Sequence, residues 1–364
     1  MPAPVFRPVR VRIDLAALRR NHAVARRHAG GAGIWSVLKA NAYGHGLMRA
    51  ARALADDADG FALVEFEGAM ALRDAGLRQP ILMMEGFYGP QEVPLHAAQG
   101  LVPVLHRPEQ VHWLLHSPGS FSLPVYLKLN TGMNRLGFDE PEFRAALDAL
   151  ANSSRVAGIT LMTHFADADE SSGIGDQMAR LGAMRGDLSY PLCLANSAAL
   201  LRFPEAVGDW VRPGIMLYGS SPFPAMASAD SLGLAPVMTL EAEVIAVRDI
   251  VAGDRVGYGG TFVADRSMRI GIVACGYGDG YPRHAPTGTP VFVDGEPAET
   301  VGRVSMDKLC VDLSACPGAT VGSVVTLWGR GLPADTVAAS AGTISYEIFC
   351  ALAARVPVVE EGLG

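Results

Sequence analysis

The chain is short of the features that mark several protein classes. It has no Lys/Arg block, and its net charge of −7 arises from acids and bases interspersed along 364 residues. Nothing in it could track a nucleic-acid backbone. Apolar runs such as Ile81 to Met84 and Ile270 to Cys275 fall far below the roughly 18 residues that a membrane span needs. Residues 1–7 lead into the charged, amphipathic Arg10 to Arg27 stretch without an apolar signal region or small-residue cleavage site, so secretion is not expected. The five cysteines, Cys193, Cys275, Cys310, Cys316 and Cys350, are odd in number and widely spaced, with no CxxC pair or Cys/His metal spacing. That usage predicts reduced thiols in a cytoplasmic protein without a metal site.

Hydrophobic residues make up 49% of the chain and charged residues 18%, enough for a large buried core in a barrel-sized domain plus a smaller one. From Ile34 to Gly219, short apolar runs alternate with longer amphipathic stretches. The runs are Ile34 to Lys39, Gly60 to Val64, Ile81 to Met84, Leu101 to Leu105, Val125 to Leu129, Gly158 to Thr163, Leu192 to Ala195 and Val211 to Tyr218. Helical patterns fill the gaps, for example Glu67 to Ala75, Glu109 to His116 after Pro108, and Glu142 to Ala151 after Pro141. Eight such units predict a (β/α)8 TIM-type barrel. After Leu234 the helical period gives way to alternating runs at Thr239 to Val247, Met268 to Ala274, Pro290 to Val293 and Val324 to Trp328, with a helix expected near Ser345 to Arg355. The expected division is a barrel over residues 12–230 and a mainly β domain over 231–364, which a strand within residues 1–11 could join.

Lys39 caps the first apolar run at the C-terminal end of a strand, where barrels place catalytic groups. A lysine desolvated there could serve as a nucleophilic amine; the plain alternative is a lysine snorkelling to the rim. Lys128 and Arg135 follow strand five, His164 strand six and Asn196-Ser197 strand seven, while Arg212 lies in strand eight, so all would face one mouth. Asn196-Ser197 opening a helix, and the amides of Gly214-Ile215, fall where barrels commonly bind phosphate. Singly, each has an ordinary reading: a satisfied core histidine, a helix cap, a structural ion pair. Together, a reactive lysine, a phosphate cradle and an arginine suggest pyridoxal 5′-phosphate (PLP).

The segment Val37-Leu38-Lys39-Ala40-Asn41-Ala42-Tyr43-Gly44-His45-Gly46 resembles the signature around the PLP lysine of the alanine racemase family, of fold type III. The resemblance runs through nearly the whole chain: Leu127 to Gly137, Thr163 to Ala166, Ala195 to Ala199, Val211 to Ile215, Val256 to Gly259, Gly276 to Gly280, Gly302 to Asp307 and Ile344 to Glu347 match in order. It implies an isomerase interconverting L- and D-alanine, with the cofactor aldehyde on Lys39 and its phosphate against Tyr43, Ser197, Tyr346 and the backbone of Gly214 and Ile215, beside Asn196. It also implies Arg212 facing the pyridine nitrogen, His164 packed on the ring and bonded to Tyr258, and Arg135 meeting the cofactor phenolate or the substrate carboxylate. The Met306 N–H would help hold that carboxylate, with Lys128, Asp307 and Tyr277 in support.

Racemisation needs proton delivery to both faces of a planar intermediate. The resemblance implies Lys39 for the D enantiomer and Tyr258, its phenol acidified by a protonated or hydrogen-bonded His164 and by Arg212, for the L enantiomer. It further implies a homodimer with shared active sites, each tyrosine serving the partner's barrel. Residues alone would make Tyr258, in Gly257-Tyr258-Gly259-Gly260, a turn residue.

Departures occur at Asn130, where aspartate is frequent, at Ser305, Ser345 and Val358. Lys128 aligns with a lysine carbamylated in some members, and an ordinary lysine there remains an equal reading. Rival activities are a broad-specificity racemase preferring serine or a longer amino acid, a decarboxylase or aldolase of the same architecture, and a non-catalytic PLP-binding homeostasis protein. The role could be supply of D-alanine for peptidoglycan and the cell wall, or alanine catabolism.

Overall fold

The computed structural model describes residues 7–362; the N-terminal piece considered above lies outside them up to residue 6, as do residues 363–364. The chain forms two compact units. One comprises residues 21–42 and 46–217; the other takes the chain up to Arg20, Tyr43–His45 and the chain from Tyr218.

The first unit is a closed barrel of eight strands. These are β2 (Gly33–Val37), β3 (Gly60–Leu63), β4 (Ile81–Met83), β5 (Leu101–Leu105), β6 (Leu123–Lys128), β7 (Val156–Met162), β8 (Leu192–Asn196) and β9 (Trp210–Arg212), preceded in the chain by β1 (Val9–Asp14). Neighbouring strands run parallel, and β2 pairs with β9 to close the ring. Each of the eight expected runs overlaps a barrel strand, with ends that differ by up to a few residues. The pattern was legible because a parallel strand is covered on both faces and so reads as unbroken apolar sequence; β3, β4 and β5 are buried at every position. Helices follow where proline opens the first turn, at Pro108–His116 and Glu140–Ala151. Gly60 and Gly33 admit the stacked indoles of Trp35 and Trp210, whose ring centroids are 4.5 Å apart: a Cβ on Gly60 would lie 2.4 Å from the Trp35 ring, and one on Gly33 2.6 Å from that of Trp210.

Two details differ from expectation. The first strand stops at Val37, so Lys39 opens a separate turn instead of ending the strand. The eighth stops at Arg212, because Pro213 cannot donate to a ladder, and Ile215–Tyr218 is a 3₁₀ turn.

In the second unit, β10 (Met238–Ile250) runs antiparallel to β1, and β11 (Arg255–Val256) with β12 (Phe262–Val263) forms a two-stranded ribbon. The rest are β13 (Met268–Val273), β14 (Pro290–Val293), β15 (Glu296–Val301), β16 (Leu309–Asp312), β17 (Val324–Trp328) and β18 (Val358–Glu361). They build one sheet in the order β13-β16-β15-β14-β17-β10-β1-β18, in which β13 also pairs with β10. The strict alternation of buried and half-buried positions in β1 is that of a strand with one covered face. Its neighbours come from the far end of the chain: Val11 lies opposite Leu240 on one side and Val358 on the other.

Candidate active site

The barrel's catalytic candidates gather where its strands end. Lys128 is the last residue of β6, His164 follows β7, and Arg212 is the last residue of β9. Arg212 is 3% exposed, and its guanidinium donates to the carbonyls of Cys193 at 2.7 Å, Thr163 at 2.8 Å and Leu194 at 3.1 Å. It lies 3.4 Å from His164 Nδ1. A planar cation fixed by three backbone oxygens cannot swing, so Arg212 is a rigid wall of this mouth.

Positive charge accumulates here. Burial, then Arg212 and Arg135, lower the Lys128 ammonium to about 8, and Lys39 adds to the effect. Burial, followed by Arg212, Lys128, Arg135 and Lys39, holds His164 well below the usual histidine range. Of the two forms considered for His164, the neutral one fits this environment. The neighbouring cations disfavour the charged forms of Lys128 and His164, and an anionic ligand would reverse that penalty. Ser197 Oγ accepts the Gly214 N–H at 2.8 Å, which leaves its own O–H to donate to such a ligand, while Asn196 Oδ1 caps the helix Ser197–Arg202 through the Ala199 N–H at 2.9 Å. The donors, the lysine and the arginine suit PLP, whose phosphate, phenolate and ring nitrogen need such partners. No group of His, Cys, Asp or Glu among the described residues could hold a metal ion.

Two loops carry Arg135 and His164, and Gln177 ties them together. Gln177 is buried on the helix Gly175–Arg185. Its Oε1 accepts the Ala166 N–H at 2.7 Å, and its Nε2 donates to the His164 carbonyl and to Thr131 Oγ1, both at 3.0 Å. Thr131 Oγ1 in turn lies 2.7 Å from Thr163 Oγ1. Asn130 shapes the second loop: its Oδ1 accepts the N–H groups of Gly132 and Asn134, while its Nδ2 donates to Asp139 Oδ1 at 3.2 Å. An aspartate there would set two carboxylates against each other, so the amide suits this loop. Neither Gln177 nor Asn130 carried a sequence signal for this role, since a lone amide has no periodicity. Gln177→Ala is expected to lower unfolding stability by about 1–3 kcal/mol, because three partners lose their bonds and one of them, Thr131, is buried; a urea midpoint unchanged from wild type would show that water replaces the side chain.

In the other unit, Tyr43 stacks on Tyr218 at 4.8 Å, with Tyr346 5.8 Å away. The two tyrosines expected at the phosphate thus share one aromatic cluster. Burial pushes the Tyr43 phenol above its ordinary value, which keeps it a neutral donor. Met306 and Asp307 lie on a loop stitched to Tyr277: the Tyr277 N–H donates to the Ser305 carbonyl at 3.0 Å and the Gly278 N–H to that of Met306 at 2.8 Å. Asp279 pins both segments. Burial opposes its ionisation, but hydrogen bonds from Arg7 and the Gly276 N–H, with Arg355 nearby, hold the carboxyl below the usual range. Arg355 also donates to Asp307 Oδ1 at 2.7 Å. Tyr258 opens a 3₁₀ turn beside Gly257 and Gly259, both at φ 73°, and is 73% exposed.

The chain matches the family models "Alanine racemase, N-terminal domain" over residues 13–222 and "Alanine racemase, C-terminal domain" over 237–360. An alanine racemase of Nitrosospira multiformis is 54% identical over 352 residues, covering 96% of this chain and 98% of its own. A catabolic alanine racemase of Salmonella typhimurium is 48% identical over 353 residues, covering 97% and 99%. The crystal structure of the biosynthetic alanine racemase from Pseudomonas aeruginosa superposes with a TM-score of 0.95 at 45% identity, over 98% of this chain and all of that one. Barrel, β domain and both halves of the sequence agree: the chain belongs to the alanine racemase family.

Proposed function

We propose that this protein interconverts L- and D-alanine using pyridoxal 5′-phosphate, with Lys39 and Tyr258 as the two proton-transfer groups. The observation that carries this reading is the cationic mouth of Lys39, Lys128, Arg135 and Arg212 around a neutral His164, in a chain of the alanine racemase family. Lys39 would hold the cofactor, with Ser197, Asn196, the amides of Gly214 and Ile215, Tyr43 and Tyr346 for its phosphate. The bound cofactor supplies an electron sink that acidifies the substrate Cα–H.

The residues do the rest. Arg212 would donate a hydrogen bond to the cofactor's ring nitrogen and, as a guanidinium, would keep its proton. It therefore limits how far charge leaves Cα, which favours return of a proton there over transamination. Arg135 and the Met306 N–H hold the substrate carboxylate. Lys39 Nζ moves a proton at one face of Cα, and Tyr258 Oη at the other. A neutral His164 can assist Tyr258 only by a hydrogen bond, not as a cation. The lowered Lys128 offers the neutral amine that reaction with carbon dioxide requires, and the resulting anion would orient Arg135.

Tyr258 is exposed on its own chain, which suits a homodimer in which each tyrosine serves the partner's barrel. No helix among the described residues is long and apolar enough to cross a membrane, and we place the enzyme in the cytoplasm. Mirror-image substrates have equal free energy, so whether D-alanine is made or consumed depends on what surrounds the enzyme.

An oxidase assay tests the reaction. Protein loaded with PLP and given L-alanine is expected to produce D-alanine up to equal amounts of the two enantiomers, with serine turned over more slowly. Release of carbon dioxide would instead mark a decarboxylase, and absence of turnover a carrier.

A further inference from the structure

The chain reaches Lys39 through an arrangement that needs external support. After β2, Leu38 keeps the parallel ladder going by donating its N–H to the Ala62 carbonyl of β3 at 2.9 Å. Two residues later the chain leaves the ladder. Ala40, Asn41, Ala42 and Tyr43 lie at φ 52°, 54°, 54° and 51°, four successive left-handed residues with no glycine among them. Left-handed helical geometry costs L-residues about 1–2 kcal/mol each, and such a stretch persists only where its surroundings hold it.

Several bonds hold the turn's shape. The Ala42 N–H donates to the Leu38 carbonyl, the Gly46 N–H to that of Asn41, and the Leu47 N–H to Asn41 Oδ1. All are local, so they leave the turn's place on the barrel open. In a parallel ladder the Ala40 N–H would seek the carbonyl two residues beyond Ala62; the left-handed turn takes it out of reach. Instead Glu65 Oε1, just past the end of β3, accepts the Ala40 N–H at 2.9 Å. A carboxylate makes a stronger acceptor than the carbonyl it replaces. Lys39 thus sits between two amides, those of Leu38 and Ala40, both anchored to the β3 segment.

We propose that Glu65 is a positioning residue for Lys39: its carboxylate takes over the lost ladder acceptor, fixes the first left-handed residue, and so sets where the lysine side chain leaves the backbone. The proposal rests on the reading of Lys39 as the residue that holds PLP. Glutamine keeps an acceptor oxygen at this position and alanine does not, so Glu65→Gln and Glu65→Ala separate the hydrogen bond from the charge.

Apoproteins of wild type and both variants are titrated with PLP and read by the absorbance of the bound cofactor, by pyridoxyl fixed on Lys39 after borohydride reduction, and by hydrogen exchange at the Ala40 amide before PLP is added. For Glu65→Ala the Ala40 amide is expected to exchange about tenfold faster and half-saturation to need roughly three- to tenfold more PLP. Its melting temperature should stay close to wild type. Glu65→Gln should stay within about twofold of wild type in both readouts. Wild-type protection and PLP affinity in Glu65→Ala would overturn the proposal, as would equal losses in the two variants. Failure of the wild-type apoprotein to take PLP on Lys39 would sink the underlying functional reading instead, while exchange at Ala40 would still report on the bond.

Discussion

Lys39→Ala is expected to leave the protein colourless in the presence of PLP and to lower alanine racemisation by roughly 10⁴-fold, the upper end of what a general acid–base group contributes, since under the proposed mechanism both the covalent hold on the cofactor and one proton carrier disappear. The chain has only three lysines, Lys39, Lys128 and Lys308, which makes the measurement unusually clean. Borohydride reduction followed by peptide mass analysis should find pyridoxyl on Lys39 in the wild type and on no lysine in the variant. Lys128 is the informative control, because its lowered ammonium makes it the other amine of this mouth able to react near neutral pH. Pyridoxyl on Lys128 in the wild type would reverse the roles given to the two lysines.

Tyr258→Phe is expected to separate two reactions that wild type performs together. Because the enantiomers have equal free energy, loss of either proton carrier must slow racemisation equally in both directions, by about 10²–10⁴-fold. Exchange of the Cα hydrogen with solvent has no such constraint. In D₂O the variant should still introduce deuterium into D-alanine, through Lys39 acting alone on its face, with retention of configuration. L-alanine should stay almost unlabelled. Phenylalanine preserves the ring and removes only the hydroxyl, so a fall of both exchange rates by the same factor would assign Tyr258 a packing role.

How far these roles could be read from residues alone differs between the two halves of the chain. The barrel was legible because parallel strands are covered on both faces and form unbroken apolar runs, as at Leu101–Leu105. A strand within residues 1–11 was expected, but from Arg10 onward the chain read as an amphipathic stretch; β1 runs on to Asp14 because Met238–Ile250 and Val358–Glu361, far away in sequence, flank it. Short strands such as Glu296–Val301, with Pro297 inside, have too weak a period to be seen. At the site, Lys39, Arg212 and Ser197 were visible as strand-end residues, whereas Tyr258 owes its role to the family resemblance alone. Glu65, Gln177 and Asn130 act through a few side-chain hydrogen bonds that fix a turn or loop. Such bonds depend on where the chain goes next, not on any local pattern. The left-handed turn after Lys39 was hidden for the same reason, since four non-glycine residues carry no local preference for it.

The most direct measurement of the central claim, that one site draws Lys39 from one chain and Tyr258 from the other, is complementation between two inactive proteins. Lys39→Ala and Tyr258→Ala are mixed, unfolded and refolded together, and mass measurement establishes the fraction of mixed dimers. In a twofold dimer with shared sites, a mixed dimer carries both lesions in one site and leaves the other whole. Random pairing makes about half the dimers mixed, each with one good site of two, so activity should return to roughly a quarter of wild type. If each chain supplied both groups to its own site, every site would keep one lesion. Mixed dimers present without any recovered racemisation would contradict the shared site.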